Sequence, residues 1–312
     1  MKSKWLAPFF VCALAALIGS YYALNVETNI LDQAERERLG GNYIRLSDGV
    51  THYELSGPKD GRVVVMVHGG TVPMWVWDKQ VEALVDAGYR VLTYDQFGRG
   101  YSDRPEVKYD KALYARQLIE LVDKLSLPDT FDLIGVSFGA ATSVSVAAKH
   151  SARIRSLSLI SPVINNFEVP GIFRVPIVGE FAARMIGINI IVKRFARLVE
   201  GSPDAERYNR LFVEQASYEG FQRSLLSFLR SDALRDYRSE YEFVGRRNIP
   251  SLLIWGAEDD EINRDMIDSI RSYIPDLTFA RVKDAGHGIV LQEPEIVTYW
   301  ILDFLAEVGG AK

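Results

Sequence analysis

Six short runs of this chain, VVVMV, YRVLTYD, FDLIGV, SLSLIS, SLLIWG and LTFARV, are apolar almost throughout, and stretches of helical period separate most of them. A strand with one face in water alternates apolar and polar residues, so unbroken apolar runs of this length call for burial on both faces. Strand and helix in alternation then point to one architecture, a mainly parallel sheet with helices on both sides. Ahead of these runs, NYIRLSDG and THYELSG do alternate and flank a glycine turn, which predicts an antiparallel hairpin. The expected fold class is therefore α/β. In such sheets reactive groups gather at the carboxyl ends of the strands, and His68, Asp95, Ser137, Asp259 and His287 all fall there.

One of the runs leads directly into chemistry. FDLIGV continues into Gly135, Val136, Ser137, Phe138 and Gly139, a G-x-S-x-G, and then into an Ala-rich helical stretch. A strand that turns abruptly into a helix holds the serine at a strained apex, where side chains on the flanking glycines would clash. The helix that follows aims its first amides at the hydroxyl. A serine alcohol needs a base, and the base needs an orienting acid. Of four histidines, His52 lies in a strand run and His150 closes a helix, both structural positions, while His68 begins HGG after VVVMV. His287, in the glycine-flanked loop DAGHGIV after LTFARV, is the best base. The acid should also follow a strand, and SLLIWG ends at Glu258, Asp259, Asp260 and Glu261, among which side-chain chemistry alone does not choose.

These residues carry a resemblance. With HGG at His68 to Gly70, DQFGRGYSD at Asp95 to Asp103, GVSFG, WGAEDD at Trp255 to Asp260 and GHG at Gly286 to Gly288, all in order, the chain resembles the alpha/beta hydrolases of the serine esterase and lipase type. Among these it looks most like the membrane-anchored monoacylglycerol-lipase-like hydrolases. The resemblance covers nearly everything after the N-terminal segment. It implies that the acid is Asp259, three residues after Gly256, and that the order serine, acid, histidine is the family's. It also implies an oxyanion hole from the backbone of Gly70, or of Thr71 in its place, together with that of Phe138. Asp95, Gly98, Gly100 and Ser102 read as a structural turn after a strand.

The alternation breaks between SLSLIS and SLLIWG, an interval too long for a loop. Its first half is apolar and broken by prolines and glycines, and its second half is amphipathic with helical period. The resemblance implies a helical lid, at about residues 163–248, within a hydrolase domain spanning 42–312. Residues 1–25 carry Lys2 and Lys4 and then a run without charge until Glu27. About twenty apolar residues at 1.5 Å each match a bilayer's ~30 Å core. Tyr21 and Tyr22 stand where a signal peptidase requires small residues, so the expectation is an uncleaved signal anchor rather than a cleaved signal peptide. The lysines then stay cytoplasmic and the domain lies on the non-cytoplasmic side, periplasmic, lumenal or extracellular, joined by a connecting segment at 26–41.

Composition excludes several classes. At 312 residues and 48% hydrophobic the chain can bury a large core, and a net charge of −5 without a basic, aromatic-interleaved cluster argues against nucleic acid. Cys12 is the only cysteine, so an internal disulfide and a Cys-based metal site are excluded, and no HExxH is present. No cofactor is expected. The function expected is hydrolysis of a carboxylic ester with an apolar acyl chain, by a carboxylesterase or monoacylglycerol-type lipase acting on a small-molecule or lipid ester. The alternatives are a carbon-carbon bond hydrolase of ring-cleavage products and a low-turnover ligand-binding receptor.

Overall fold

A computed structural model describes residues 6–165 and 169–310. The six apolar runs form strands, and the two alternating runs before them form the hairpin of β1 (Asn42–Arg45) and β2 (Val50–Ser56), with Tyr43 opposite His52. β3 (Val63–Val67), β4 (Arg90–Tyr94), β5 (Phe131–Val136), β6 (Ile154–Ile160), β7 (Ser251–Gly256) and β8 (Thr278–Val282) run parallel. The sheet has eight strands in the order β1-β2-β4-β3-β5-β6-β7-β8. The chain leaves β3 towards β4 on one side and returns to β5 on the other. A crevice opens at the carboxyl ends of strands that part in this way.

Side chains alternate across the sheet into two apolar layers. Val65, Val67 and Leu133 face α4 (Lys111–Lys124), α5 (Phe138–Lys149) and α12 (Arg264–Tyr273), whereas Val64, Met66 and Ile134 face α3 (Asp78–Asp86) and α14 (Pro294–Gly310). Helix starts are written locally: the Asp110 carboxylate accepts from the Leu113 amide, and the Asn263 side chain accepts from the Met266 amide. All six residues of β5 are buried, which is why FDLIGV shows no polar alternation apart from Asp132. That carboxylate is bound by Arg62 and Ser156.

Between β6 and β7 stand α6 (Gly171–Arg174), α7 (Val178–Ala182), α8 (Ile188–Leu198), α9 (Ala205–Ala216), α10 (Phe221–Arg230) and α11 (Arg238–Arg246). A π-helical turn at Ala183–Gly187 joins α7 to α8. α11 packs against α5 and α12, and its Tyr241 and Val244 enter the core. The short α13 (Ile289–Gln292) follows the His287 loop.

The N-terminal apolar run forms α1 (Leu6–Ala23), but the membrane-spanning anchor expected from it is not found: among the described residues no helix is long and apolar enough to cross a membrane. The last turn is moreover engaged by protein. Tyr21 stacks on Phe181 with ring centroids 6.1 Å apart, and the Arg184 guanidinium lies 4.3 Å from the Tyr21 ring. Lys2 and Lys4 lie outside the described residues. The segment that follows, with α2 (Gln33–Leu39), is docked: the Asn29 amide donates to the Ser217 carbonyl at 3.0 Å and the Tyr218 hydroxyl donates to Glu35 at 2.7 Å.

Candidate active site

The serine turn has the strain its sequence implies. Ser137 sits between β5 and α5 with φ at +54°, a region costly for any residue with a side chain. Both glycines of the motif are required by close approach. A Cβ on Gly135 would lie 2.5 Å from the Gly139 carbonyl carbon, and one on Gly139 would lie 2.2 Å from the Val67 carbonyl oxygen. With no side chains there, α5 starts hard against β3 and the hydroxyl stands clear of its own strand.

Parallel strands bring His287 and Asp259 to the same edge. The Ser137 Oγ is 3.0 Å from His287 Nε2, across 150 residues of sequence, and His287 Nδ1 is 3.0 Å from Asp259 Oδ2. Of the four carboxylates after β7, only Asp259 is buried; Glu258 and Asp260 are exposed. Asp259 Oδ1 also accepts the amides of Glu261 and Ile262 at 2.9 and 2.8 Å. Burial pushes the Asp259 carboxyl up, but the His287 and backbone hydrogen bonds outweigh it and hold the group below its ordinary value. Burial pushes the His287 imidazole down, and the Asp259 carboxylate more than reverses this, so the imidazole titrates above its ordinary value. The other histidines lie elsewhere. His52 Nδ1 is 2.8 Å from Asp95 Oδ2, and His150 closes α5.

Beside the serine, the HGG loop is clamped by its carbonyls. His68 is fully buried; its Nε2 accepts the Gln96 amide at 2.8 Å and its Nδ1–H donates to the Gly69 carbonyl at 2.7 Å, and burial pushes its pKa down to about 4. Arg99 Nε donates to the Gly70 carbonyl at 2.6 Å, and Gln215 Nε2 donates to the Thr71 carbonyl at 2.9 Å. Among the described residues the amides of Gly70, Thr71 and Phe138 make no backbone hydrogen bond. Arg99 and Gln215 were not identified from the sequence. The arginine lies inside a motif that reads as a turn, and the glutamine lies on an insertion helix whose docking no local pattern reveals.

Ser137 and His287 open onto a cavity of about 280 Å³. Its walls are apolar, with Val76, Phe173, Ile191, Leu225, Phe228 and Leu291 among them. Of the apolar lid residues between Ile172 and Ile186, Phe173 lines the cavity, while Phe181 stacks on Tyr21 and Ile177 is 84% exposed. The polar exceptions include Arg194 and Glu261. Arg194 of α8 forms a two-point ion pair with Glu261, with Nε to Oε1 at 2.8 Å, and Glu261 Oε2 lies 3.4 Å from His287 Nε2. A second carboxylate therefore faces the histidine on its serine side, held by the insertion. The sequence offered Glu261 only as one of four acids, and no signal marked Arg194 beyond a charge on an apolar helix. Among the described residues no group of His, Cys, Asp and Glu side chains is placed to hold a metal ion.

The sheet order, the strained serine and the helical insertion are those of an α/β hydrolase. The sequence matches the Alpha/beta hydrolase family over residues 64–298, well over half of its length, and the chain belongs to that family. The carboxylesterase YbfK of Bacillus subtilis is 26% identical over 86% of this chain and 88% of its own. A 2-hydroxy-6-oxononadienedioate/2-hydroxy-6-oxononatrienedioate hydrolase of Cupriavidus pinatubonensis is 26% identical over 88% of this chain and 98% of its own. Among solved structures, the enol-lactonase from Burkholderia xenovorans LB400 superposes with a TM-score of 0.72 at 22% identity, covering 85% of this chain and all of the other, a likeness of fold.

Proposed function

We propose that this chain is a serine hydrolase of carboxylic esters with an apolar acyl chain. The observation that carries the reading is the hydrogen-bonded chain Ser137, His287, Asp259 at the wall of an apolar cavity. In this reading His287 Nε2 takes the hydroxyl proton as Oγ attacks the ester carbonyl, and the Asp259 carboxylate holds the imidazole and stabilises its charged form. The amides of Gly70 and Phe138 receive the oxyanion. Arg99 and Gln215 supply the rigidity that such donors need, because their hydrogen bonds hold the carbonyls on either side of Thr71. The imidazolium then protonates the alcohol, and water repeats the sequence on the acyl-enzyme. The relationship to a carboxylesterase supports an ester as substrate.

The relationship to a ring-cleavage-product hydrolase keeps carbon-carbon hydrolysis as a second reading. It is less favoured because the cavity at Ser137 is apolar and its arginine, Arg194, is already neutralised by Glu261, leaving no free cation among that cavity's described residues for an acidic group beside the scissile bond. A receptor on the same fold would bind without turnover. A fluorophosphonate should label Ser137, and Ser137→Ala should lose both the label and the hydrolysis of p-nitrophenyl esters. An alanine variant that turns over normally would exclude the serine as nucleophile.

The reading extends to location. Val11, Leu17, Ile18 and Tyr22 on α1, and Ile172, Val175, Ile177 and Val178 on the insertion, are exposed apolar side chains on segments that touch through Tyr21 and Phe181. They support a protein held at a membrane surface through these side chains.

A further inference from the structure

A second cavity, of about 530 Å³, lies against the first. Gln222 and Leu226, one turn apart on α10, line both, so this pair forms a shared wall. The two spaces differ in chemistry. The first is apolar around Ser137, whereas the second is lined by Lys108, Arg184, Arg223 and Arg230 against two carboxylates, Glu27 and Glu180. Arg230 is committed to Glu180, its Nη1 lying 2.5 Å from Oε1. Arg184 is not committed in this way. Its nearest carboxylate, Glu27, is 3.7 Å away with the other oxygen taken by the Gln222 amide, and its buried Nε has no partner among the described residues. Gln222 is 7% exposed, and its buried Nε2 also has no partner among the described residues. Lys108 lies 3.6 Å from Asp110 and Arg223 lies 4.0 Å from Glu106, so the orphaned groups and not a surplus of charge mark the site. A buried guanidinium N–H and a buried amide N–H left without acceptors among the described residues form a site short of an acceptor, which an anion supplies best.

We infer that this polar cavity binds an anionic group, phosphate or carboxylate, on the alcohol portion of the ester cleaved at Ser137. The inference rests on the serine-hydrolase reading, in which the apolar cavity takes the acyl chain and the alcohol is the polar part left to place. Gln222 then donates to the anion from the shared wall, and Arg184 donates through Nε, offsetting the cost both groups bear when buried alone. Hydrolysis follows the same course: the acyl carbon–oxygen bond breaks, water supplies the hydroxyl of the acid, and the anionic alcohol leaves with a proton.

The test compares two esters with the same chain, 1-octanoylglycerol and 1-octanoylglycerol 3-phosphate, by kcat/KM with the full-length protein. The phosphorylated ester should be preferred by about tenfold, what one charge-assisted hydrogen bond contributes. Arg184→Met should remove most of the preference, leaving only what Gln222 supplies, and Arg184→Lys should keep more of it, which loss of folding would not do. Equal or lower turnover of the phosphorylated ester by the wild type would overturn the inference. If the neutral ester is still cleaved in that case, and Ser137→Ala abolishes the cleavage, the hydrolase reading stands; if neither ester is cleaved, that reading fails as well. Inorganic phosphate separates a substrate group from a free ion. Competition with the phosphorylated ester alone supports the inference, whereas a change in turnover of the neutral ester would mark a regulatory anion site and overturn it.

Discussion

Asp259 and Asp260 are adjacent acids in opposite surroundings, one buried against His287 and one in water. Asp259→Asn should lower kcat by about 10⁴-fold, as when the histidine of a serine protease loses its orienting acid, and Asp260→Asn should leave it within about twofold. Equal losses in steady-state assays would refute the role of Asp259. In the proposed mechanism His287 accepts a proton only when neutral, so kcat/KM should fall as pH drops through its pKa, and the raised value places that acid limb above the ordinary histidine range. Glu261 favours the imidazolium and Arg194 opposes it. Glu261→Gln should therefore move the limb to lower pH, and Arg194→Met should move it to higher pH. A pH–rate profile in which neither moves would show that Glu261 does not act on His287. None of this second carboxylate's role was legible beforehand. Glu261 and Arg194 are 67 residues apart, and their pairing follows only from where α8 lies across the strand ends.

Elements divide the site into floor and wall. The floor comes from loops after β3, β5, β7 and β8, and the apolar wall comes chiefly from α8 and α10 with Phe173. A wall of this kind discriminates by chain length, since each buried methylene contributes about 0.8 kcal/mol, a several-fold gain in kcat/KM until the cavity is full. For p-nitrophenyl esters from acetyl to dodecanoyl, specificity should rise to a medium chain and then level. Ile191→Trp, which fills the cavity from α8, should move the maximum to shorter chains while keeping acetyl turnover. A steady fall from acetyl onward would remove the apolar-acyl reading and leave the nucleophile untouched. The apolar residues crowded between Ile172 and Ile186 could be read from the sequence as more than a core needs. Their division was not, because the bends at Pro170, Pro176 and the π-helical turn decide which face reaches the cavity and which is left exposed.

At the scale of the molecule, the proposed membrane-surface location implies that the exposed apolar side chains on α1 and the insertion should keep the full chain with membranes through a high-salt wash, since burial of apolar groups is insensitive to screening. Ile177→Asp should weaken retention, and recovery of the wild type in the wash supernatant would exclude a membrane location. The sequence by itself determined the α/β class and the strand order along the chain, and it singled out Ser137 and His287, which lie 3.0 Å apart. Those features depend on short-range patterns: burial on both faces, glycine at a close approach and a loop after a strand. It marked the acid only through the register of a family motif, because exposure separates Asp259 from its neighbours and exposure is not local. Tertiary structure alone decided the Arg99 and Gln215 clamps, the Arg194–Glu261 pair and the polar cavity behind Gln222. Each joins segments far apart in the chain, and the free energy that holds them together belongs to their packing and not to either segment.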